Sequence, residues 1–207
     1  MKKALEAYWG DKISAEELLK VAKEQRLNTY ATIKEQGVDF VPTGTFSLYD
    51  HVLDMSNTLG IIPEAYAKSG LSQLDTYFAM ARGHQKGGVD LPATEMKKWF
   101  DSNYHYLVPE FSEKSEFKLN DNKPVDDFIE AKEAGYNARP VILGPLTLLW
   151  LGKTSKDAQD PNFNRYSLLP KLAQTYVQLF ETLAAAGAPW LHLDEPILVV
   201  DTAKQLS

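Results

Sequence analysis

Helical spacing and short apolar runs alternate along this chain. Ser14 to Gln36 reads as a long helix. It opens on an S-x-x-E capping box, Ser14 and Glu17, and Gly37 stands where a left-handed terminating residue is wanted. Val38 to Pro42 reads as a short strand, Thr43-Gly44-Thr45 as a loop, and Leu48 to Leu59 as a helix ending at Gly60. Asp75 to Ala81 and Thr94 to Phe100 read as short helices. Gly83 to Gly88 between them is a flexible loop by composition. Tyr104 to Val108 is a strand closed by Pro109. Pro124 to Ala134 is a helix with Val125, Phe128, Ile129 and Ala131 on one side. Pro140 to Leu143 is a β-branched and apolar strand. Leu172, Tyr176, Leu179, Phe180 and Leu183 give the helix from Leu168 to Ala186 its apolar stripe, and Gly187 closes it. The last strand, Trp190 to Leu193, runs into Asp194-Glu195-Pro196.

Strands alternating with helices make parallel sheets with right-handed crossovers. Two architectures compete, a doubly wound open sheet and a (β/α)8 barrel. The turn after Val41 reads P-T-G-T-F, and neither G-x-G-x-x-G nor a Walker A motif occurs anywhere. About four parallel strands with their helices fit part of a barrel, since a closed one typically needs about 250 residues. There is no internal repeat and no low-complexity segment.

Composition narrows the partners more than the fold. Hydrophobic residues make up 44% and charged residues 24% of 207, as in globular chains. A net charge of −6 disfavours nucleic acid and anionic membrane, whose phosphates attract a Lys/Arg excess. Cysteine is absent, which excludes a disulfide scaffold and any thiolate metal site within these residues and fits a cytoplasmic protein. Met1 to Trp9 is polar and amphipathic, unlike a signal peptide. The longest apolar stretch, Val141 to Gly152, falls short of the roughly 20 residues that span a bilayer.

Four features could carry chemistry. Asp194 and Glu195 end a strand, where side chains of parallel α/β proteins face a shared mouth. They could hold an amine, a metal or a pterin edge; alternatively one caps a helix and the other pairs with an arginine. The run Lys97 to Tyr106 packs cations, an amide and aromatics together. It suits a carboxylate ligand and a stacked heterocycle, or equally a solvated helix end followed by a core strand. His51, His84, His105 and His192 show no close ligand spacing, so no metal site is expected; His192 alternates like a hydrogen-bonded interior residue. Lys2-Lys3 would ordinarily be solvated.

Taken together, K-K-A-L-E-A-Y-W (2–9), F-S-L-Y-D-H-V-L-D (46–54), D-T-Y-F-A-M-A-R-G (75–83), E-M-K-K-W-F-D-S-N-Y-H-Y (95–106), V-I-L-G-P-L-T (141–147) and L-D-E-P-I-L-V (193–199) resemble the N-terminal domain of cobalamin-independent methionine synthase, the 5-methyltetrahydropteroyltriglutamate–homocysteine methyltransferase family. The resemblance runs the length of the chain. It implies one of two facing (β/α)8 barrels, a degenerate copy of the catalytic one. The catalytic zinc, which turns homocysteine into the thiolate that attacks the methyl group on folate N5, is implied to lie with its Cys, His and Glu ligands in the C-terminal barrel. For these residues the resemblance implies a hold on the folate polyglutamate tail. Lys2 matches the lysine of an R-E-L-K motif whose other members are missing here, and Lys98 and Asn103 match the K-W-F-D-x-N block. Lys97 is left solvated and Asp194-Glu195 structural.

Residues 1–207 are accordingly expected to form an incomplete N-terminal barrel, strands two to five, lacking methyl transfer of its own. Open edges and an uncovered apolar face imply self-association, partial order or completion by another copy. A tail site of exposed ion pairs, worth about 0–1 kcal/mol each, implies weak folate affinity. An enzyme fragment, a separate folate-binding module and an inactive truncated paralogue all remain consistent with the residues.

Overall fold

The structure is a computed structural model, and it describes residues 1–201. The chain opens with helix α1 (Lys2–Trp9) and helix α2 (Ala15–Glu35). The capping box forms in full. Ser14 Oγ accepts from the Glu17 N–H at 3.1 Å, and the Glu17 carboxylate accepts from the Ser14 N–H at 2.7 Å. One stripe of α2, Leu18, Ala22 and Tyr30, is buried. Gly37, at φ +81°, reverses the chain after it.

Strand β1 (Val41–Thr43) and helix α3 (His51–Thr58) follow, then α4 (Glu64–Ala67) and α5 (Gln73–Arg82). Two hairpins come next. In the first, β2 (His84–Lys86) pairs antiparallel with β3 (Val89–Leu91). Gly87 and Gly88, both at positive φ, make the two-residue turn, so the expected flexible loop is an ordered hairpin. In the second, β4 (Met96–Lys98) pairs antiparallel with β5 (His105–Leu107). The helix expected over Thr94–Phe100 is therefore a strand. Cross-strand pairing with the Y-H-Y-L segment overrides the helical preference of Met and Lys.

Strand β6 (Glu110–Phe111), helix α6 (Lys123–Glu133), strand β7 (Ala138–Leu143), helix α7 (Pro145–Leu151), strand β8 (Lys153–Thr154), helix α8 (Leu169–Ala185) and strand β9 (His192–Asp194) complete the order. The main sheet is parallel, in the order β1-β7-β9. Val41 lies opposite Ala138, and Val141 opposite His192. About four parallel strands were expected in this sheet and three are present. The Tyr104–Val108 segment instead belongs to the second hairpin, and among the described residues β6 pairs with β8 alone.

The larger core lies around this sheet. Leu172, Tyr176, Leu179 and Leu183 of α8 share it with Val125, Phe128 and Ala131 of α6 and Ile142 of β7. Tyr176 also donates to the Leu143 carbonyl at 2.7 Å, which fixes α8 against the end of β7. A second core joins Leu18, Leu53, Tyr77 and Phe78, with Tyr8 and Trp9 packed on it. Trp190 and Leu193 are exposed beside β9, and Leu198 and Val199 beyond it are 71% and 89% exposed. His192, expected inside, is exposed on the strand. Among the described residues no helix is long and apolar enough to cross a membrane.

Candidate functional site

A cleft of about 730 Å3 opens at the carboxyl ends of the three parallel strands. Its floor is Gly44 after β1, Val141 to Leu143 of β7, and Asp194 of β9. Gly44 is required there. At φ +79° it adopts a backbone state that side chains disfavour, and a Cβ would come within 2.8 Å of the Val141 carbonyl oxygen.

One wall is α3, whose first turn is held by Asp50. This carboxylate is 1% exposed. It accepts from the N–H groups of Val52 and Leu53 at 3.1 and 2.9 Å, as a helix cap should. It also accepts from the Leu107 N–H at 3.0 Å and the Tyr104 hydroxyl at 3.3 Å, and so fastens the second hairpin to the helix. Burial raises the Asp50 carboxyl above its ordinary value, against the stabilising N–H groups of Leu107, Leu53 and Val52. Burial, then the Asp50 charge, pushes Tyr104 up to about 12.

One turn on from Asp50, Asp54 starts a chain of buried charges. Tyr77 donates to its Oδ1 at 2.7 Å, and Lys123 Nζ lies 3.5 Å from its Oδ2. Lys123 donates to Asp127 at 2.7 Å and to the Phe46 carbonyl at 2.8 Å. Arg26 approaches Asp127 at 3.4 Å and grips Glu130 with two bonds of 2.8 and 2.9 Å. Burial works against the Lys123 ammonium, yet Asp54 and Asp127 outweigh it and its pKa rises. For Asp54 burial wins over Lys123, and the carboxyl is raised.

The turn between β4 and β5 continues this wall. The Trp99 N–H donates to the Tyr104 carbonyl at 2.7 Å. Phe100 takes φ +47°, a strained state for a bulky residue, and its ring stacks on Trp150 at 5.1 Å and 11°. Trp99 meets the His51 ring edge-on at 4.5 Å, and Tyr104 stacks on His51 at 5.6 Å.

Lys98 and Asn103 flank this turn and are both exposed. They do not line the cleft; their neighbours Trp99, Ser102 and Tyr104 do. Strand alternation sends Lys98 to the face opposite Trp99. Among the described residues no carboxylate lies within ion-pair reach of Lys98, whereas Lys97 meets Glu95 at 3.5 Å. Lys2 lies apart from the cleft on α1, exposed and 3.9 Å from Glu6. Thus Lys98 and Asn103 lie on one hairpin, and Lys2 lies on α1.

The adjacent carboxylates Asp194 and Glu195 divide. Glu195 accepts from the N–H groups of Leu146 and Thr147 at 2.9 and 2.7 Å, capping α7 across the sheet. A Cβ on Gly144 would overlap the Glu195 carboxyl, so glycine is what admits it. Asp194 faces the cleft. Among the described residues no three His, Cys, Asp or Glu side chains converge as metal ligands. Cysteine is absent from the sequence as well. Sequence reasoning missed Asp50, Asp54 and Lys123. The available signal for the two aspartates was a carboxylate at each end of D-H-V-L-D, the first in the capping position of a helix.

Parallel strands joined by helices, with a cleft at their carboxyl ends, define an α/β protein of the kind that binds small molecules at that edge. More particularly, the chain belongs to the cobalamin-independent synthase, N-terminal domain, family, whose model matches residues 1–207. It is 50% identical to a probable 5-methyltetrahydropteroyltriglutamate–homocysteine methyltransferase of Schizosaccharomyces pombe, over 100% of this chain and 27% of that protein. The Saccharomyces cerevisiae 5-methyltetrahydropteroyltriglutamate–homocysteine methyltransferase is 49% identical over 97% of this chain and 27% of its own. The Chelativorans protein of the same name is 47% identical, over 99% and 27%. The chain thus spans about a quarter of the length of these curated relatives.

Proposed function

We propose that this chain is part of a zinc-dependent methyltransferase that moves a methyl group from 5-methyltetrahydrofolate polyglutamate to homocysteine, forming methionine. In this reading residues 1–207 are an incomplete N-terminal barrel in a cytoplasmic enzyme. They hold the folate tail and are inactive alone, and the zinc chemistry belongs to a C-terminal barrel. Family membership and the relatives' names support the reaction. Parallel strands with helical connections support the barrel. The exposed Leu193, Leu198 and Val199 support a further protein surface, the missing barrel or a second copy, covering the edge at β9.

One observation carries the tail assignment. The turn between β4 and β5 is strained at Phe100 and clamped by Asp50, and its flanks carry Lys98, without a carboxylate partner among the described residues, and the exposed Asn103. An unpaired cation and an amide donor on one hairpin suit a γ-linked carboxylate. Lys2, on α1, would meet a more distant part of the tail.

Calorimetric titration with pteroyl mono- and triglutamate tests this. The triglutamate is expected to bind more tightly, and Lys98→Ala to weaken it about two- to five-fold, as befits an exposed ion pair of about 0–1 kcal/mol. Equal affinity for both ligands, or an unaltered titration in Lys98→Ala, would remove the tail assignment.

A further inference from the structure

We propose that the cavity between the α1–α2 junction and the first hairpin binds the phosphate group of a small molecule, gripped by Arg82 with Lys12 and His84 around it. This cavity shares no lining residue with the cleft at the strand ends, and Lys2, Lys98 and Asn103 do not line it.

The cavity encloses about 610 Å3, room for a phosphate and a small organic body that carries it. The chain builds it from distant segments. Asp11, at φ +56°, turns the backbone from α1 toward α2. Gly83, at φ +78°, ends α5 and leads into β2. A Cβ there would come within 2.9 Å of the Leu91 carbonyl oxygen, so glycine is what lets the hairpin fold back on the helix end. Lys86 of β2 donates to Asp11 at 2.7 Å and to the Trp9 carbonyl at 3.3 Å, which ties the hairpin to the junction. Arg82 is the last residue of α5, His84 the first of β2, and Lys12 lies in the junction itself.

Pairing decides the sign of the ligand. The carboxylates that line the cavity all have donors. Asp11 accepts from Lys86, and Glu17 from the Ser14 N–H at 2.7 Å. Asp75 accepts from the Tyr8 hydroxyl at 2.7 Å and the Ser72 hydroxyl at 2.6 Å. The cations differ. The Arg82 guanidinium lies 3.7 Å from the centre of the Trp9 ring, and Trp9 in turn meets Phe78 edge-on at 5.5 Å. Stacking uses the face of a guanidinium and leaves its fork of N–H groups free. Among the described residues that fork has no hydrogen bond or ion pair, and neither the Lys12 nor the His84 side chain has a partner. A further donor, the Trp9 indole N–H, is buried in the wall without an acceptor. The unmet cations sit on α5, on β2 and in the junction, so they reach a ligand from different sides. A carboxylate offers two oxygens in one plane. A phosphate offers three, turned in different directions, and about two negative charges, which suits that arrangement better.

The test is calorimetric titration of the chain, in phosphate-free buffer, with inorganic phosphate and with phenyl phosphate. Saturable one-to-one binding is expected. Tighter binding of phenyl phosphate would identify a phosphate ester as the ligand class, and equal affinity would identify free phosphate. Arg82→Gln should weaken binding about tenfold or more, the effect of losing a charge-assisted pair of hydrogen bonds. Lys12→Ala should weaken it about two- to five-fold. If Arg82→Gln fails to fold for want of its stacking on Trp9, Lys12→Ala, at an exposed junction residue, carries the test. Absent saturation with either probe, folded Arg82→Gln or Lys12→Ala variants that bind as tightly, or displacement of phosphate by pteroyl triglutamate would overturn the proposal. The probes carry no glutamate, so their failure leaves the role of Lys98 and Asn103 standing. Lys98→Ala should leave phosphate binding unchanged, and loss of the tail assignment leaves this site standing.

Discussion

The starts of α3 and α7 are each held by a carboxylate next in sequence to a cleft residue, but by opposite routes. Asp50 belongs to the segment it caps. It reaches Val52 and Leu53 locally, then spends its remaining capacity on Leu107 and Tyr104, more than 50 residues away. Glu195 is entirely non-local and comes from beyond β9 to the N–H groups of Leu146 and Thr147. One carboxylate turns a helix cap into a clamp on a hairpin. The other turns a strand end into the cap of a helix three elements earlier. Both tie secondary structure formed at different places in the chain to one cleft edge.

Removing Asp50 should be the most damaging change. Asp50→Ala leaves two helix N–H groups and the Leu107 N–H without a buried acceptor, a loss of about 3 kcal/mol or more. Denaturant unfolding measures it. A loss under about 1 kcal/mol, the level of an ordinary exposed cap, would break the comparison by showing that the grip on the hairpin contributes nothing.

Glu195→Ala should cost less, about 2 kcal/mol, since its site is only half-buried. The sharper variant is Gly144→Ala. At φ −75° and ψ 155° the backbone accepts alanine, so any cost comes from overlap with the Glu195 carboxyl. Gly144→Ala should therefore destabilise the parent chain and be nearly neutral in the Glu195→Ala background. Additive losses in the double variant would show that Gly144 serves something other than admitting Glu195.

These two carboxylates also mark how far the sequence could be read. Local signals were legible. The capping box at Ser14, the stripe of α8 and the strand at Pro140 follow from neighbours within a few residues, and the structure places each where expected. Gly87-Gly88 carried a hairpin signal that was mistaken for looseness. Met96 to Lys98 has the composition of a helix and is a strand, because its partners lie seven to eleven residues on. Of the site, D-E-P and the W-F-D-S-N-Y-H-Y block were visible as unusual chemistry. The division of Asp194 from Glu195, and the line from Asp54 through Lys123 and Asp127 to Arg26, depend on which segments meet in space. No spacing along the chain encodes that meeting.

Asp50→Asn separates charge from shape at the first cap. Amide and carboxylate are nearly the same size, but the amide has one acceptor fewer, a cost of about 1–2 kcal/mol. Acidity gives this variant a signature. Burial raises the Asp50 carboxyl, so the folded chain holds that proton more tightly than the unfolded one. The group's contribution is fully present below the ordinary carboxylate pKa and is lost as pH rises through the raised value. The parent's margin over Asp50→Asn should then be widest in acid and narrow toward neutrality. A margin that widens with pH would mean that the N–H groups outweigh burial.

Tyr104→Phe should have the smallest effect. It deletes one hydroxyl, which donates to Asp50 at 3.3 Å and lies 3.3 Å from His51 Nδ1, while the ring can still stack on His51. The bond is long and the residue half exposed, so the expected loss is about 0.5–1 kcal/mol. The Leu107 N–H still reaches Asp50 in this variant, and the hairpin should stay in register. Amide hydrogen exchange at Leu107 reads that directly: protection close to the parent's is expected, with a modest drop at the turn around Ser102. If protection at Leu107 collapses instead, the hydroxyl rather than the backbone bond fastens the hairpin. Asp50 would then resemble Glu195 more closely than its three backbone contacts indicate, as a cap whose second role depends on a single side chain from afar.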